Sequence, residues 1–496
     1  LNNFKIAFQN FLESNPGVLQ NAEIVPEGDK SLIVLSPLSL EHFFARNWVS
    51  KRYISTIVER PQRLLAVSIG IAAALSIYPS SFTLLNSTKL SPLDSSHVIK
   101  VHGKNWPLEI ERLSNESREK LKDQKLEVPD DWNSGDIYIN PHTVIALKSV
   151  IGAVETAVDS VFSPGADSGL SPKRSFVVIR PPGHHSHPCL PSGFCLINNV
   201  QIGIQYAFEK YDVTHAVILD IDLHHGDGTQ DICWLRGGWK PEYGDESLND
   251  EPDNLFDEYE KRSALNGPKV GYFSLHDINS FPTESGFATQ ANIKNASTCI
   301  AAHDLYIWNV HLKPYKDLED FNRLYERRYI EILRKAEEFL LEARNTHSHL
   351  SEKSFESNGK IPLPSPFKAI VMISAGFDGS EYETPSMQRH DVNVPTSFYQ
   401  RFTKDAIKLS NLYSNGKLIS FLEGGYSDGA LVSGTFSHLV GLQNKTWNDN
   451  WTNETVIKDL TKGCKPKWTA LKKPAKTETS RWSNEVIKLG RAMIPK

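Results

Sequence analysis

Long apolar runs, paired cysteines and a large surplus of either charge are all missing from this chain of 496 residues. The longest apolar stretch, Leu64 to Ile77, has about 14 residues where a bilayer span needs roughly 20. It predicts a buried helix, and no membrane association is expected. Five cysteines, at 189, 195, 233, 299 and 464, form no Cys-x-x-Cys pair and are odd in number. That argues against a disulfide framework and makes a reducing, intracellular setting the default. A formal net charge of −5 and a pI near 6.4 give no global basic character, so direct nucleic-acid binding is not expected. What remains is ordinary globular composition, 40% hydrophobic and 23% charged. The length suits one large α/β domain with insertions, or two or three smaller units. The chain opens on Leu1, and a trimmed form of a longer polypeptide is compatible with that start.

Read in order, residues 1–29 predict an N-terminal arm with one helical piece, Phe4 to Leu12, ahead of a strand at Ser31 to Ser36. Asn140-Pro141 opens a helix from His142 to Phe162, and Ser163 to Lys173 is a loop. The strand Phe176 to Ile179 follows, then a helix from Asn198 to Tyr211. Further strands are expected at Val217 to Leu219, Val270 to His276, Ala369 to Ile373 and Leu418 to Leu422. Helices are expected at Leu318 to Arg344 and Ser397 to Tyr413. Alternating short apolar strands and helices predict a mostly parallel central sheet flanked by helices on both faces. Two insertions break the pattern: about 234–267 is expected as a solvated surface loop, and 345–366, with its Ser and Pro, as a disordered loop. The first is acidic (Glu242, Asp245, Glu246, Asp250, Glu251, Asp253). The division expected is therefore 1–29 arm, 30–445 main domain and 446–496 basic extension. The extension, with Lys462, Lys465, Lys467, Lys472 and Lys473, either packs back or meets a partner.

The chemistry concentrates at Asp220-Ile-Asp-Leu-His-His-Gly-Asp-Gly-Thr-Gln230. In an extended chain the spacing of two points Asp220, Asp222 and His224 to one side. Two carboxylates and an imidazole gathered there are costly unless a cation neutralises them, and Asp oxygen with His nitrogen suits zinc. A polar loop after a core strand would account for one such Asp, not for this density. Other strands end in His184-His185, in Asp378 and in Gly424-Gly-Tyr426. Ligands of open parallel sheets bind beyond the carboxyl ends of the strands, so these groups can meet in one crevice.

Arg180-Pro-Pro-Gly-His-His185, Ser192-Gly-Phe-Cys195, Asp220 to Gln230, Ser374-Ala-Gly-Phe-Asp378 and Leu422-Glu-Gly-Gly-Tyr426, in this order, resemble the zinc-dependent histone deacetylases over about residues 30–440. Arg-Pro-Pro-Gly-His-His and Leu-Glu-Gly-Gly-Tyr are similar to the class II branch. The resemblance implies an arginase/deacetylase-type three-layer α/β fold and a chromatin-linked, transcription-regulating hydrolase of the nucleus or cytoplasm. It implies a zinc ion on Asp222, His224 and Asp378, with an open position for water or substrate. His185 then matches the general base, His184 its electrostatic partner, and Asp220 and Asp227 the carboxylates orienting His184 and His185. Tyr426 matches the hydroxyl that stabilises the oxyanion. Gly193 and Phe194 match the acetyl-lysine tunnel, Phe281 either its second wall or core, Asp136 a rim contact to substrate. Arg63 matches an inner-cavity arginine, with a surface arginine at a helix start as the plain alternative. A structural potassium is implied near Asp220, Asp222, His224 and Ser274.

One departure stands out: after Asp378 the family's Gly-Asp-Pro-x-Gly-like loop is replaced by Gly379-Ser-Glu-Tyr-Glu-Thr-Pro-Ser386. Glu381 and Glu383 are expected to face the tunnel mouth and steer a cationic histone tail or a polyamine. Acetylated histone tails or other acetylated proteins are thus the expected partners, and a homo-oligomer is compatible with the sequence. The rivals are an acetylpolyamine deacetylase and a catalytically silent acetyl-lysine-binding scaffold. A binuclear manganese hydrolase lacks the further Asp ligands it would need.

Overall fold

The computed structural model describes residues 1–20, 23–163, 171–239, 267–356, 363, 365–388, 390–470 and 477–494. Among the described residues, nine strands form one sheet. They are β1 (Ser31–Leu35), β2 (Phe82–Asn86), β3 (Arg174–Val178), β4 (His215–Asp220), β5 (Lys269–His276), β6 (Cys299–Ala302), β7 (Leu305–His311), β8 (Ala369–Ala375) and β9 (Leu418–Leu422). Their order is β2-β1-β3-β9-β8-β4-β5-β7-β6, and every pair is parallel except the edge pair β6–β7. The central strands β1, β8 and β9 are buried at every position, as a parallel sheet covered on both faces requires. Alternate side chains enter two cores. Ile33, Phe176, Val217 and Val371 join one; Val34, Val177, Ile218 and Met372 join the other. The result is the three-layer arrangement expected, with helices on both faces.

The helix Arg63–Ile77 explains the apolar run: thirteen residues from Arg63 to Ser76 are buried beneath other helices, so no polar face is needed. Among the described residues, no helix is long and apolar enough to cross a membrane. The edge strands β2 and β6, the strand β7 beside β6, and the helices Ser96–His102 and Asn105–Lys122 were not foreseen. Half-exposed strands carry too weak an apolar pattern to read. The segment from Asn345 is corrected as well: the helix Glu331–Glu356 continues through its first part. The acids of the first insertion, Glu242 to Asp253, lie outside the described residues, as do Lys472 and Lys473. Both chain ends join one core. Phe4 and Phe11 of the helix Asn2–Ser14 are buried with Val486, Leu489 and Met493 of the helix Glu478–Met493. Gly490 lies so close to Ile69 that a Cβ would stand 2.7 Å from its backbone.

Candidate active site

The strand does not extend through the metal-ligand-like motif. β4 ends at Asp220, and the following chain turns on its own side chains: Asp222 N–H donates to Asp220 Oδ1 (3.2 Å) and His224 N–H to Asp222 Oδ1 (3.0 Å). The convergence expected from an extended spacing is therefore produced by a bend instead, which sends Asp220 one way and Asp222 with His224 another. Asp378, two residues beyond the loop glycine after β8, accepts Leu223 N–H at 2.8 Å; Gly424 N–H donates to Asp222 Oδ2 at 2.8 Å. Side chains at Gly376 and Gly424 would stand 1.9 Å from Asp222 Oδ2 and 2.1 Å from Asp378 Oδ2, so both carboxylates need bare backbone beside them.

Asp222, His224 and Asp378 thereby offer ligand atoms that all lie within 4.8 Å of one another, and all three residues are buried. His224 Nδ1 is 3.1 Å from Asp222 Oδ1 and 3.0 Å from Asp378 Oδ2. Zinc bonds of roughly 2.0–2.2 Å in a tetrahedron put neighbouring donors about 3.3 Å apart. The donor set fits such an ion in type and in spacing. Its electrostatics point the same way. Against burial, His184 and His224 hold Asp222 below the carboxylate range, whereas burial and the facing Asp222 push Asp378 up. Two like charges in one dry site demand a positive centre between them.

The two histidines beside this group are held differently. His184 Nδ1 lies 3.2 Å from Asp220 Oδ2, which also accepts the Tyr272 hydroxyl at 2.9 Å. His184 Nε2 stands 3.7 Å from Asp222 Oδ1; burial opposes its charged form, but Asp222 and Asp220 raise its pKa well above the usual histidine value. His185 Nδ1 donates to Asp227 Oδ1 at 2.7 Å, at the first residue of the helix Asp227–Arg236. Burial and the neighbouring His184 push His185 down to about 4, with Asp227 pulling the other way. His185 is thus a neutral imidazole at pH 7, and Nε2 is its free lone pair.

His185, His224 and Tyr426 open into one cavity, walled by Gly193, Phe194 and Phe281. Phe281 stands edge-on to His185 with centroids 5.0 Å apart, which places it in the wall rather than the core; Phe194 lies 5.6 Å from the Tyr426 ring. Gly193 has φ +47, and a Cβ would come within 2.4 Å of the His185 ring, so only glycine fits. Its carbonyl accepts the Cys195 thiol at 3.3 Å. Asp136 is at the mouth, its Oδ2 held by Asn133 Nδ2 at 2.6 Å. Ser274, opposite Asp220 across the β4–β5 register, pairs its hydroxyl with His276 Nδ1 at 2.8 Å.

One alternative falls away and one expectation needs correction. Arg63 is not a surface arginine. It is fully buried behind Tyr426, its guanidinium 5.0 Å from that ring, with Nε donating to the Gly425 carbonyl at 2.6 Å and a second nitrogen to that of Glu423. Glu381 and Glu383 do not line the mouth, where the loop contributes Ser386 and Met387. Glu383 is buried, and its Oε2 accepts the N–H groups of Tyr426 (2.7 Å) and Ser427 (3.1 Å). Glu381 Oε1 accepts the N–H and hydroxyl of Thr396. Backbone donors in the replacement loop's surroundings had claimed both carboxylates.

Other members of the site escaped the sequence reading. Glu423 accepts Gly183 N–H at 2.7 Å and is pushed up to about 7 by burial. Tyr272 anchors Asp220, and His187 reaches Asp227 and Asp231. For Asp231 a signal existed, because a residue four after Asp227 on a helix shares its face.

The histone deacetylase domain family matches residues 57–343, more than half of the chain. This chain belongs to the histone deacetylase family. It is 52% identical over 506 aligned residues to histone deacetylase HOS3 of Saccharomyces cerevisiae, covering 100% of this chain and 69% of that protein. Chloroplastic histone deacetylase 14 of Arabidopsis thaliana is 25% identical over 62% of this chain and 56% of its own length. The polyamine deacetylase HDAC10 of Mus musculus is 36% identical over 19% of this chain and 14% of its own. The crystal structure of the HDA15 HD domain superposes with a TM-score of 0.54 at 20% identity, over 84% of this chain and 91% of that one, and so shares the fold.

Proposed function

We propose that this protein is a zinc-dependent lysine deacetylase that hydrolyses N6-acetyl-lysine on histone tails or other acetylated proteins, releasing acetate. The observation that carries this reading is the opening of His185, His224 and Tyr426 into one aromatic-walled cavity. Asp222, His224 and Asp378 would hold the zinc. When bound, zinc supplies Lewis acidity for the acetyl carbonyl and lowers the pKa of a water molecule toward roughly 7.

Phe194 and Phe281 enclose the lysine methylenes and exclude water, and Asp136 receives the substrate backbone at the rim. His185, with Nδ1–H fixed on Asp227, takes the water proton at Nε2 and returns it to the departing amine. His184, held by Asp220, keeps positive charge beneath the reacting centre. Tyr426 donates its hydroxyl to the oxyanion as charge develops, with its backbone fixed by Glu383 and Arg63. A structural potassium on oxygens near Asp220, Asp222, His224 and Ser274 belongs to the same reading, supported by the register that sets Asp220 against Ser274. Residence in the nucleus or the cytoplasm is compatible with this reading, and regulation of chromatin and transcription goes with histone as substrate.

The test is acetate release from acetylated histone peptides by the purified protein, with metal content measured in parallel and acetylspermidine as a competing substrate. We expect peptide turnover that disappears when chelation removes zinc and returns on its addition. Turnover by fully stripped protein would refute the proposal, and preference for acetylspermidine would move the substrate to the polyamine class.

A further inference from the structure

His187 follows the histidine pair by two residues and takes no part in the proposed hydrolysis. It is buried, and its two ring nitrogens face two different carboxylates. Nε2 is 3.4 Å from Asp227 Oδ2, and Nδ1 is 2.7 Å from Asp231 Oδ2. Asp227 Oδ1, its other oxygen, is the atom bonded to His185. The four residues therefore form one line, His185–Asp227–His187–Asp231, joined by two hydrogen bonds and an ion pair. Every member is buried, and none is among the three residues assigned to zinc.

From this geometry we propose that His187 and Asp231 are positioning residues for hydrolysis, holding the Asp227 carboxylate so that it in turn fixes the His185 ring. The proposal rests on His185 being the base. A carboxylate tied at one oxygen keeps a broad, two-fold torsion about its last bond. A second partner on Oδ2 removes that freedom and keeps Oδ1 on His185 Nδ1. Asp227 then enforces the tautomer whose Nε2 lone pair opens into the cavity.

The chemistry of the donors dictates what His187 is. Carboxylates only accept, so an imidazole with both nitrogens on carboxylates carries both hydrogens and is a cation. Burial opposes that charge, but Asp227 and Asp231 outweigh it and hold His187 up to about 10. The cation sits on the side of Asp227 away from His185 and shares that anion's charge, so Asp227 orients His185 without drawing it into a permanent imidazolium. Asp231 has the right place for its part, one helical turn after Asp227 on the helix Asp227–Arg236.

The two amide side chains separate this from a packing role. In His187→Gln the amide nitrogen replaces Nε2 and can still reach Asp227; in His187→Asn it replaces Nδ1 and reaches only Asp231. With the zinc-loaded enzyme and an acetylated histone peptide, His187→Asn is expected to lower kcat roughly tenfold with KM within about twofold, and His187→Gln to cost less than about threefold. In the Asp227→Asn background the His187→Asn loss is expected to vanish, because the link it breaks is already gone. Asp231→Ala serves as an independent variant, with a smaller loss in kcat that is likewise absent from that background. Thermal unfolding of each variant verifies folding. Equal effects of Asn and Gln, an unchanged kcat in His187→Asn, or equal losses with and without Asp227 would overturn the proposal alone. Retained turnover in His185→Ala would overturn the base assignment and the proposal with it.

Discussion

Of the clusters of charged side chains buried among the described residues, two differ sharply in where their polar atoms point. In one, Glu59 accepts Arg180 at both oxygens (2.9 and 2.6 Å), Arg63 at 3.1 Å and the Tyr138 hydroxyl at 2.7 Å. The remaining arginine nitrogens end on carbonyls of Ser39, His42, Glu423 and Gly425. Both Glu59 oxygens and every nitrogen of the two guanidinium groups find a protein partner, and the arginines hold Glu59 far below the ordinary carboxylate range against the penalty of burial. In the other, Asp222 and Asp378 converge on a single imidazole beside an open cavity, with negative charge in surplus. Burial alone does not mark a functional site. A closed shell holds structure together, whereas donors aimed at a common point wait for an ion.

The contrast can be broken first at the open cluster. Asp378→Asn removes one of two anionic donors, and we expect zinc content and turnover to fall to background; a variant that retained full zinc by elemental analysis would count against the assignment. Glu59→Gln attacks the closed cluster instead. Leaving two buried arginines undercompensated should cost about 3–5 kcal/mol in denaturant unfolding, while the folded protein keeps its zinc. Loss of zinc without loss of stability would reverse the roles of the two clusters. Tyr426→Phe is expected to lower kcat by roughly 10²–10³ with the unfolding midpoint and metal content unchanged.

The smallest effect concerns acid. His438 bridges Thr403 and Ser420 at 2.8 Å each, and burial lowers its pKa from 6.5 to about 3. Between those pH values the unfolded chain takes up a proton that the folded chain refuses. Stability from this residue is therefore complete above pH 6.5 and declines as the pH falls, by about 2 kcal/mol at pH 5. His438→Gln should narrow the gap between unfolding midpoints at pH 7.5 and pH 5; an unaltered gap would place the acid sensitivity elsewhere.

Much of the site could be read from residue order because its chemistry is local. Asp222 and His224 sit two apart, His184 and His185 are adjacent, and Tyr426 follows two glycines at a strand end. The parallel sheet brought these strand ends together, as alternating strands and helices predicted. What could not be read depends on partners far away in the chain. Glu383 looked like a surface acid because nothing in its neighbourhood reveals that Tyr426 N–H, 43 residues on, claims it. Arg63 matched an inner-cavity arginine through the resemblance, but the carbonyls it grips, those of Gly425 and Glu423, lie 362 and 360 residues on. The bend after β4 was invisible for a different reason: side-chain acceptors on backbone N–H groups compete with strand geometry without changing the residue pattern.

The closing helix at Glu478–Met493 has a practical meaning for anyone who trims this protein. It rests against Ile69, and Trp482 Nε1 donates to Ser76 Oγ at 2.9 Å, both on the helix whose first residue grips the loop that carries Tyr426. Cutting at the end of the recognisable motifs would lay bare the back of that helix. The floor of the reaction chamber would lose its buttress even though every residue named in the chemistry stayed in place.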